Sequence, residues 1–385
     1  MDSKTDSPNA SSTKGRFVGP GLRLRALRNR IIATPAFRRR AATIPFVRHI
    51  AARRASDLFD LTAGFAYTQA TLAFVVSGIG DVLRTSPTTL DALAGELPDL
   101  SADTIERILD AAEGIGLIVR RGEVVALDDL GVALMHEPGV LAMVRHHRDV
   151  YADLTDPLAL FASSEPTRTS AFWQYAGGRA DGGTDPEGAA AYSALMAVTQ
   201  GFVADELIAA YRFGCHRHLI DVGGGSGAFA AKVALATPEL AVTVFDLPDV
   251  VPLATERFER DGLTGRAGVV GGSFHDAPLP SDGDVYSLVR VLYDHDDEPA
   301  MTLLSDLRAA MPSGATLLVG EPMASLPGAR KVGTYFTMYL AAMRSGRCRT
   351  PERIIAMLRE AGFTKARRRP VRAPLFTGLV SARKA

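Results

Sequence analysis

The sequence predicts an α/β protein in which a parallel sheet with helices on both faces follows a mostly helical N-terminal region. Three observations carry this. From His218 onward, apolar strand-like runs alternate with helical ones. A glycine-rich turn, Gly223 to Gly227, closes the first of those runs. Upstream, Thr88 to Leu127 reads helix, helix, hairpin, the pattern of a winged helix.

A chain of 385 residues is long enough for two full cores. Apolar content of 47% and charged content of 22% are those of an ordinary globular protein. A net charge of zero argues against nucleic acid as the default partner. Two cysteines, Cys215 and Cys348, cannot build a disulfide framework or a metal cluster, which fits a reducing cytoplasm. No metal site is expected.

Four segments follow in order. Residues 1–54 form a basic N-terminal arm, with a disordered start up to about Arg16. Thirteen Lys and Arg stand there against two acids, interleaved with Leu22, Leu24, Ile31, Ile32, Phe37, Ile44, Phe46 and Val47. Such an arm packs on a partner subunit or lies peripherally on an anionic membrane face. Its Arg- and Ser-rich start also resembles a transit peptide, without a clear cleavage site. Residues 55–140 are expected to form a winged-helix dimerisation domain. Within it, Leu61 to Gly80 carries no charge but holds enough Gly, Thr and Ser to read as a helix buried at a subunit interface rather than a membrane span. Thr88 to Leu97 predicts a short helix, Ser101 caps the next, and Leu117 to Leu127 turns back at Arg121-Gly122. Thr88 to Glu113 carries seven acids and one base, Arg107, so a DNA-binding regulator is disfavoured by charge. Residues 141–210 predict a helical connector that walls a substrate cavity, broken by a loop near 177–188. Residues 211–385 predict a Rossmann-like domain with strands near 218–222, 241–246, 267–271, 284–292, 315–321, 363–369 and 374–382.

The glycine turn points to a nucleotide-bearing ligand. Glycines let bare backbone approach it, and the helix from Ala228 to Ala236 aims its first amides there. Asp246 ends the next strand, where an acid can hold ribose hydroxyls. Gly223, Gly225 and Ala228 also satisfy a loose dinucleotide fingerprint, so an NAD-dependent oxidoreductase competes. Asp221 discriminates. A carboxylate just before the glycines repels pyrophosphate but accepts a sulfonium cofactor with an amino-acid tail. The stretch therefore favours S-adenosyl-L-methionine.

The second half resembles the class I S-adenosylmethionine-dependent O-methyltransferases with an N-terminal dimerisation domain. The glycine turn, Asp246-Leu247-Pro248, Gly272-Ser273-Phe274, Leu292 to Glu298 and Gly320-Glu321-Pro322 carry the likeness. The run from Arg290 to Glu298, with Ala55 to Gln69 and Tyr192 to Met196, is similar to the demethylspheroidene (hydroxyneurosporene) O-methyltransferases of carotenoid biosynthesis. The resemblance implies a tertiary 1-hydroxyl on an acyclic carotenoid as acceptor and a homodimer. A phenolic or polyketide hydroxyl is the alternative acceptor.

Roles carried over are these. Gly223 and Gly225 approach the methionine part and ribose, Asp246 holds the ribose hydroxyls, and Leu247 lies against the adenine. Ser273 and Phe274 flank the adenine, although the family often has Asp where Ser273 stands. Asp221 and Arg290 join the cofactor-binding set. Plant phenol methyltransferases in this family carry a catalytic His where this chain has Tyr293. Glu321 matches the first supporting carboxylate, and the second falls near Cys348 and is missing. A neutral tyrosine is a poor base. Tyr293 is therefore expected to position the hydroxyl while His295 or Asp294 accepts its proton and Glu321 orients one of them. Asp296 and Asp297 favour a helix N-terminus. Tyr335, Met338, Tyr339 and Met343 recur at helical spacing. With Trp173, Tyr175, Phe172 and Met196 they could line an apolar tunnel for the polyene, or simply form core.

Overall fold

A computed structural model describes residues 20–172, 200–274, 277–374 and 377–385. The chain divides into two compact units, Met1–Ala70 and Thr71–Ala385.

The described part of the first unit is helical. Helices α1 (Pro20–Ala33), α2 (Pro35–Thr43) and α3 (Pro45–Val76) each open on a proline, whose fixed φ suits a first helical turn and whose missing N–H costs nothing there. Thr34 caps α2 by accepting from the Phe37 amide at 3.4 Å. On the first half of α3, Leu61 is 81% exposed and Phe65 75% among the described residues. Expected disorder before Arg16 falls outside the described residues.

In the second unit, the end of α3 turns inward at Leu72, Phe74 and Val75. It is followed by α4 (Ile79–Thr85), β1 (Thr88–Thr89), α5 (Leu90–Glu96), α6 (Ala102–Gly114), β2 (Ile118–Arg121), β3 (Val124–Leu127) and α7 (Asp129–Met135). These form the winged-helix pattern around Phe74, Ile79, Leu93, Ile105 and Leu109, all fully buried. Each contributes about 1.5–3 kcal/mol by leaving water. The helix expected from Thr88 starts two residues later. Thr88 and Thr89 pair with β3 instead, and Thr89 caps α5 through the Ala92 amide. Ser101 caps α6 through the Thr104 amide at 3.1 Å. Three of the acids that disfavoured DNA, Glu106, Asp110 and Glu113, converge on Arg120 of β2 at 2.5, 2.9 and 3.4 Å. Among the described residues no single helix is long and apolar enough to cross a membrane. Only α3 and α4 together pass that test, and they are bent by 65° at their junction.

Helices α8 (Pro138–Asp153), α9 (Pro157–Ala162), α10 (Arg168–Phe172) and α11 (200–210) lead to the sheet. Its strands are β4 (His218–Val222), β5 (Ala241–Asp246), β6 (Ala267–Gly271), β7 (Val285–Val289), β8 (Thr316–Glu321), β9 (Thr364–Arg369) and β10 (Gly378–Arg383). The helices among them are α12 (Ala228–Ala236), α13 (Val251–Arg260), α14 (Asp297–Ala310), α15 (Arg330–Met343) and α16 (Pro351–Glu360). The order is β6-β5-β4-β7-β8-β10-β9. The first five strands are parallel, as expected, but β10 runs antiparallel to both β8 and β9. The all-parallel expectation fails there because the connection from β9 to β10 is too short for a crossover helix. The strand expected over 284–292 stops at Val289, because Arg290 takes a left-handed φ of 59°.

Candidate active site

The C-terminal edges of β4, β5, β7 and β8 meet at one place. Beyond β4, Gly223, Gly225 and Gly227 have φ of 68°, 57° and 70°, which an L side chain seldom adopts. A Cβ on Gly223 would stand 2.7 Å from Val291, and one on Gly224 would stand 2.7 Å from Asp221 Oδ2. The turn is therefore shaped by close approach on its protein side as well. Asp246 draws β5 to it, accepting from the Gly225 amide at 2.6 Å and the Leu247 amide at 2.7 Å. Burial raises the Asp246 carboxyl, and those two amides oppose the rise.

Asp221 is 1% exposed. Ser287 donates to its Oδ1 at 2.6 Å, while Oδ2 has no partner among the described residues. Burial pushes its carboxyl up to about 7, against the Ser287 hydrogen bond. A buried carboxylate oxygen left without a donor beside a glycine turn fits a positively charged ligand group and disfavours a phosphate. The residues present thus fit S-adenosyl-L-methionine. Asp221, Gly223, Gly225, Asp246 and Leu247 could hold it, with Ser273 and Phe274 beyond β6.

The segment expected to position the hydroxyl and take its proton follows β7. Leu292–Asp294 form one 3₁₀ turn, and α14 starts at Asp297. Tyr293 is 1% exposed, Asp294 6% and His295 8%. Glu321, wholly buried at the end of β8, accepts from the Tyr293 amide through Oε2 at 3.0 Å. It thus orients the main chain of the turn, where the sequence led us to expect a side-chain partner. Its Oε1 and the Oδ1 of Asp294 are buried with no partner among the described residues. Burial raises Glu321 to about 8, opposed by the Arg349 charge and the Tyr293 amide. Burial raises Asp294 to about 7, opposed by the Arg290 charge and the hydrogen bond with Tyr293. Burial also lifts the Tyr293 phenol far above its ordinary value, with the Asp294 charge adding and Arg290 opposing. Arg290 lies beside this cluster: its charge acts on Tyr293, Asp294 and Tyr335 alike. The His295 ring stands edge-on to Phe274, centroids 5.3 Å apart.

Sequence reasoning missed the strap over this turn. Arg349, 4% exposed, donates to the carbonyls of Leu292 at 2.7 Å and His295 at 2.8 Å and to Asp297 at 2.9 Å. The Arg347 amide donates to the Tyr293 carbonyl at 2.8 Å and Ser345 Oγ to that of Asp294 at 2.7 Å. Where the second family carboxylate would fall, Cys348 instead gives its thiol to Pro322 O at 3.7 Å, and burial pushes that thiol up to about 11. Asp297, expected only to favour the helix start, also pairs with Arg349 and Arg353, which hold it below its ordinary value despite partial burial.

The wall is aromatic. Tyr339 and Met343 are buried with Tyr293, Val150 and Leu340 in one cluster. Tyr335 stacks on Tyr339 at 5.8 Å, and Phe336 stands edge-on to Tyr293. Two histidines of α8, unnoticed in the sequence, meet this wall: His146 with the Tyr339 hydroxyl at 2.7 Å and His147 with that of Tyr335 at 2.8 Å. Burial, aided by His146, lowers His147 to about 4. Met338 is half-buried. Trp173, Tyr175 and Met196 lie outside the described residues, as does the side chain of Phe172. A cleft of about 1050 Å³ lined by Tyr211, His216, Arg367 and Arg383 lies at the opposite strand ends and shares no residue with this site.

The sequence profile of the O-methyltransferase domain matches residues 151–364. The chain is 39% identical to a demethylspheroidene O-methyltransferase of Cereibacter sphaeroides, over 94% of this chain and 96% of the relative. A demethylspheroidene O-methyltransferase of Rhodobacter capsulatus is 37% identical over 88% and 84%. The chain belongs to the S-adenosylmethionine-dependent O-methyltransferases. Among solved members of this fold, mitomycin 7-O-methyltransferase superposes with a TM-score of 0.71 at 25% identity, covering 87% of this chain and 100% of that one. Human N-acetylserotonin methyltransferase, solved with S-adenosylmethionine, gives 0.70 at 22% identity, covering 86% and 98%. With that family shown, hydride transfer and DNA regulation are not favoured as the chain's activity.

Proposed function

We propose that this O-methyltransferase methylates the tertiary 1-hydroxyl of an acyclic carotenoid of the demethylspheroidene or hydroxyneurosporene type. The observation that carries the reading is identity of 39% and 37%, over nearly the whole chain, to two enzymes of that name. Tyr293 in place of a catalytic His supports it, since a tertiary alcohol loses its proton late, after the new bond has begun to form.

Bound S-adenosylmethionine supplies a methyl group on a sulfonium, and its departure leaves a neutral thioether. Most of the rate then comes from holding oxygen, methyl and sulfur in line. The Tyr293 hydroxyl positions the acceptor oxygen. Asp294 takes its proton through the unpartnered Oδ1. Of the two candidate bases, Asp294 is the one with a buried oxygen that no described residue meets, while the His295 ring stands edge-on to Phe274. Glu321 and Arg349 hold the turn from either side. Arg290 keeps enough of Asp294 ionised for it to serve. Tyr335, Met338, Tyr339 and Met343 belong to the wall on which the polyene end rests.

The partner of this chain is a second copy, covering Leu58, Leu61 and Phe65 on α3, which are exposed at i, i+3 and i+7 spacing. Sedimentation of the purified protein measures that. The basic arm meets a membrane surface from the cytoplasmic side.

The acceptor is tested with methyl-labelled S-adenosylmethionine, a 1-hydroxy acyclic carotenoid in detergent and a simple catechol. Label on the carotenoid alone supports the reading. Label on the catechol alone overturns it in favour of a phenolic or polyketide acceptor.

A further inference from the structure

We infer that the arm over residues 20–54 is an anchor for anionic lipid, with arginines for the headgroups and interleaved apolar side chains for the acyl boundary. The inference deepens the reading of the substrate as a long polyene, which dissolves in a bilayer and not in water.

Charge is divided along the chain. Residues 20–54 hold ten arginines and no acid. Residues 55–385 hold thirty basic against forty-one acidic residues, a net of −11 that cancels the +11 of residues 1–54. A body of that sign is repelled by an anionic surface, so attraction must come from the arm. Among the side chains described between Arg23 and Arg53, none is in an ion pair. The first pair is Arg54 with Asp57, at 3.6 Å and largely exposed.

The apolar residues are placed to match. At 100° per residue, Leu24, Leu27 and Ile31 share one stripe of α1, with Arg23 and Arg30 on one flank and Arg28 on the other. Leu24 is 69% exposed, and Phe46 at the start of α3 is 76%. No described residue of the first unit covers them. Arginine stems can lie along the apolar stripe while their heads reach outward, the arrangement that suits the headgroup level. A second copy of the chain offers the arginines an acidic body. A bilayer with anionic headgroups offers both counter-charge and an apolar layer on a single surface, so it is the occupant that matches both features of the arm.

The test uses the full chain with vesicles of phosphatidylcholine alone or with phosphatidylglycerol. Two variants accompany it: Arg23→Gln/Arg28→Gln/Arg30→Gln and Leu24→Gln/Leu27→Gln/Ile31→Gln. Binding is expected to the anionic vesicles only and to weaken with salt. Loss should be roughly fivefold for each arginine removed. The apolar variant should remain bound at low salt and leave the vesicles at high salt. Both variants should sediment as the unaltered protein does and methylate the detergent-held carotenoid at the same rate. Equal binding to neutral vesicles overturns the inference, as does an arginine variant that binds like the original. So does a changed oligomeric state with unchanged vesicle binding, which would assign the arm to a second copy. If the unaltered protein leaves the detergent-held carotenoid unmethylated yet binds anionic vesicles, the acceptor reading fails and the anchor stands.

Discussion

Ser287 on β7 donates its hydroxyl to Oδ1 of Asp221 on the neighbouring strand at 2.6 Å, both side chains being buried. Among the described residues it is the one donor to a carboxylate that lies against the glycine turn. Replacing Ser287 with Ala should cost about 1–3 kcal/mol of stability and raise Asp221 further. Chemical denaturation reads the first. The second should appear as S-adenosylhomocysteine affinity that falls off at a higher pH than in the unaltered protein.

Asp294 must be ionised to take a proton, and its carboxyl lies at about 7. Turnover should therefore rise with pH through about 7 and level off above it. Asp294→Asn should lower kcat by about 10²–10⁴ and flatten the profile, with S-adenosylhomocysteine binding retained. His295→Ala should keep the pH profile. A profile abolished by the His295 change and kept by the Asp294 change would move the base to His295.

Glu321 stands at about 8, well above its ordinary value of 4.5. The folded protein then binds a proton that the unfolded chain has released, so this group favours folding at low pH and loses that contribution as pH rises from about 4.5 through 8. Glu321→Gln keeps an acceptor for the Tyr293 amide without a titrating group. Its denaturation midpoint should vary less between pH 5 and 9 than that of the unaltered protein. Glu321→Ala leaves the amide unmet and should be less stable at every pH.

Arg349→Met keeps volume but removes donors from the carbonyls of Leu292 and His295 and from Asp297. A loss of about 3–5 kcal/mol is expected, read as a lowered midpoint in denaturant. Arg349→Lys reaches fewer of these acceptors and should fall between the two.

The sheet domain was legible because its signals are local. Alternating apolar runs, the glycine turn and Asp246 fall within one stretch, and Asp221 separated two cofactors by charge alone. Strand direction was not legible, since an apolar run reads the same either way. The short connection after Arg369 was the clue, and only its length held it. Arg349 was missed because its acceptors are backbone carbonyls more than fifty residues earlier, which leave no mark on residue type. The pairing of His146 and His147 with two tyrosines of α15 was hidden for the same reason. Glu321 was found by resemblance, but its hold on an amide required coordinates.

The reversed strand β10 has a consequence for the order in which the molecule can be made. Gly378 is the residue paired with Glu321, and Leu379 pairs with Gly320. While the chain is being synthesised, β8 has a neighbour only on its β7 side until α15, α16 and β9 have all emerged. The edge that bears Glu321 stays open to water during that interval. The proposed methyl-transfer centre is therefore among the last parts of the protein to close, and removing residues 378–383 should leave a chain that folds its winged-helix part but binds no methyl donor.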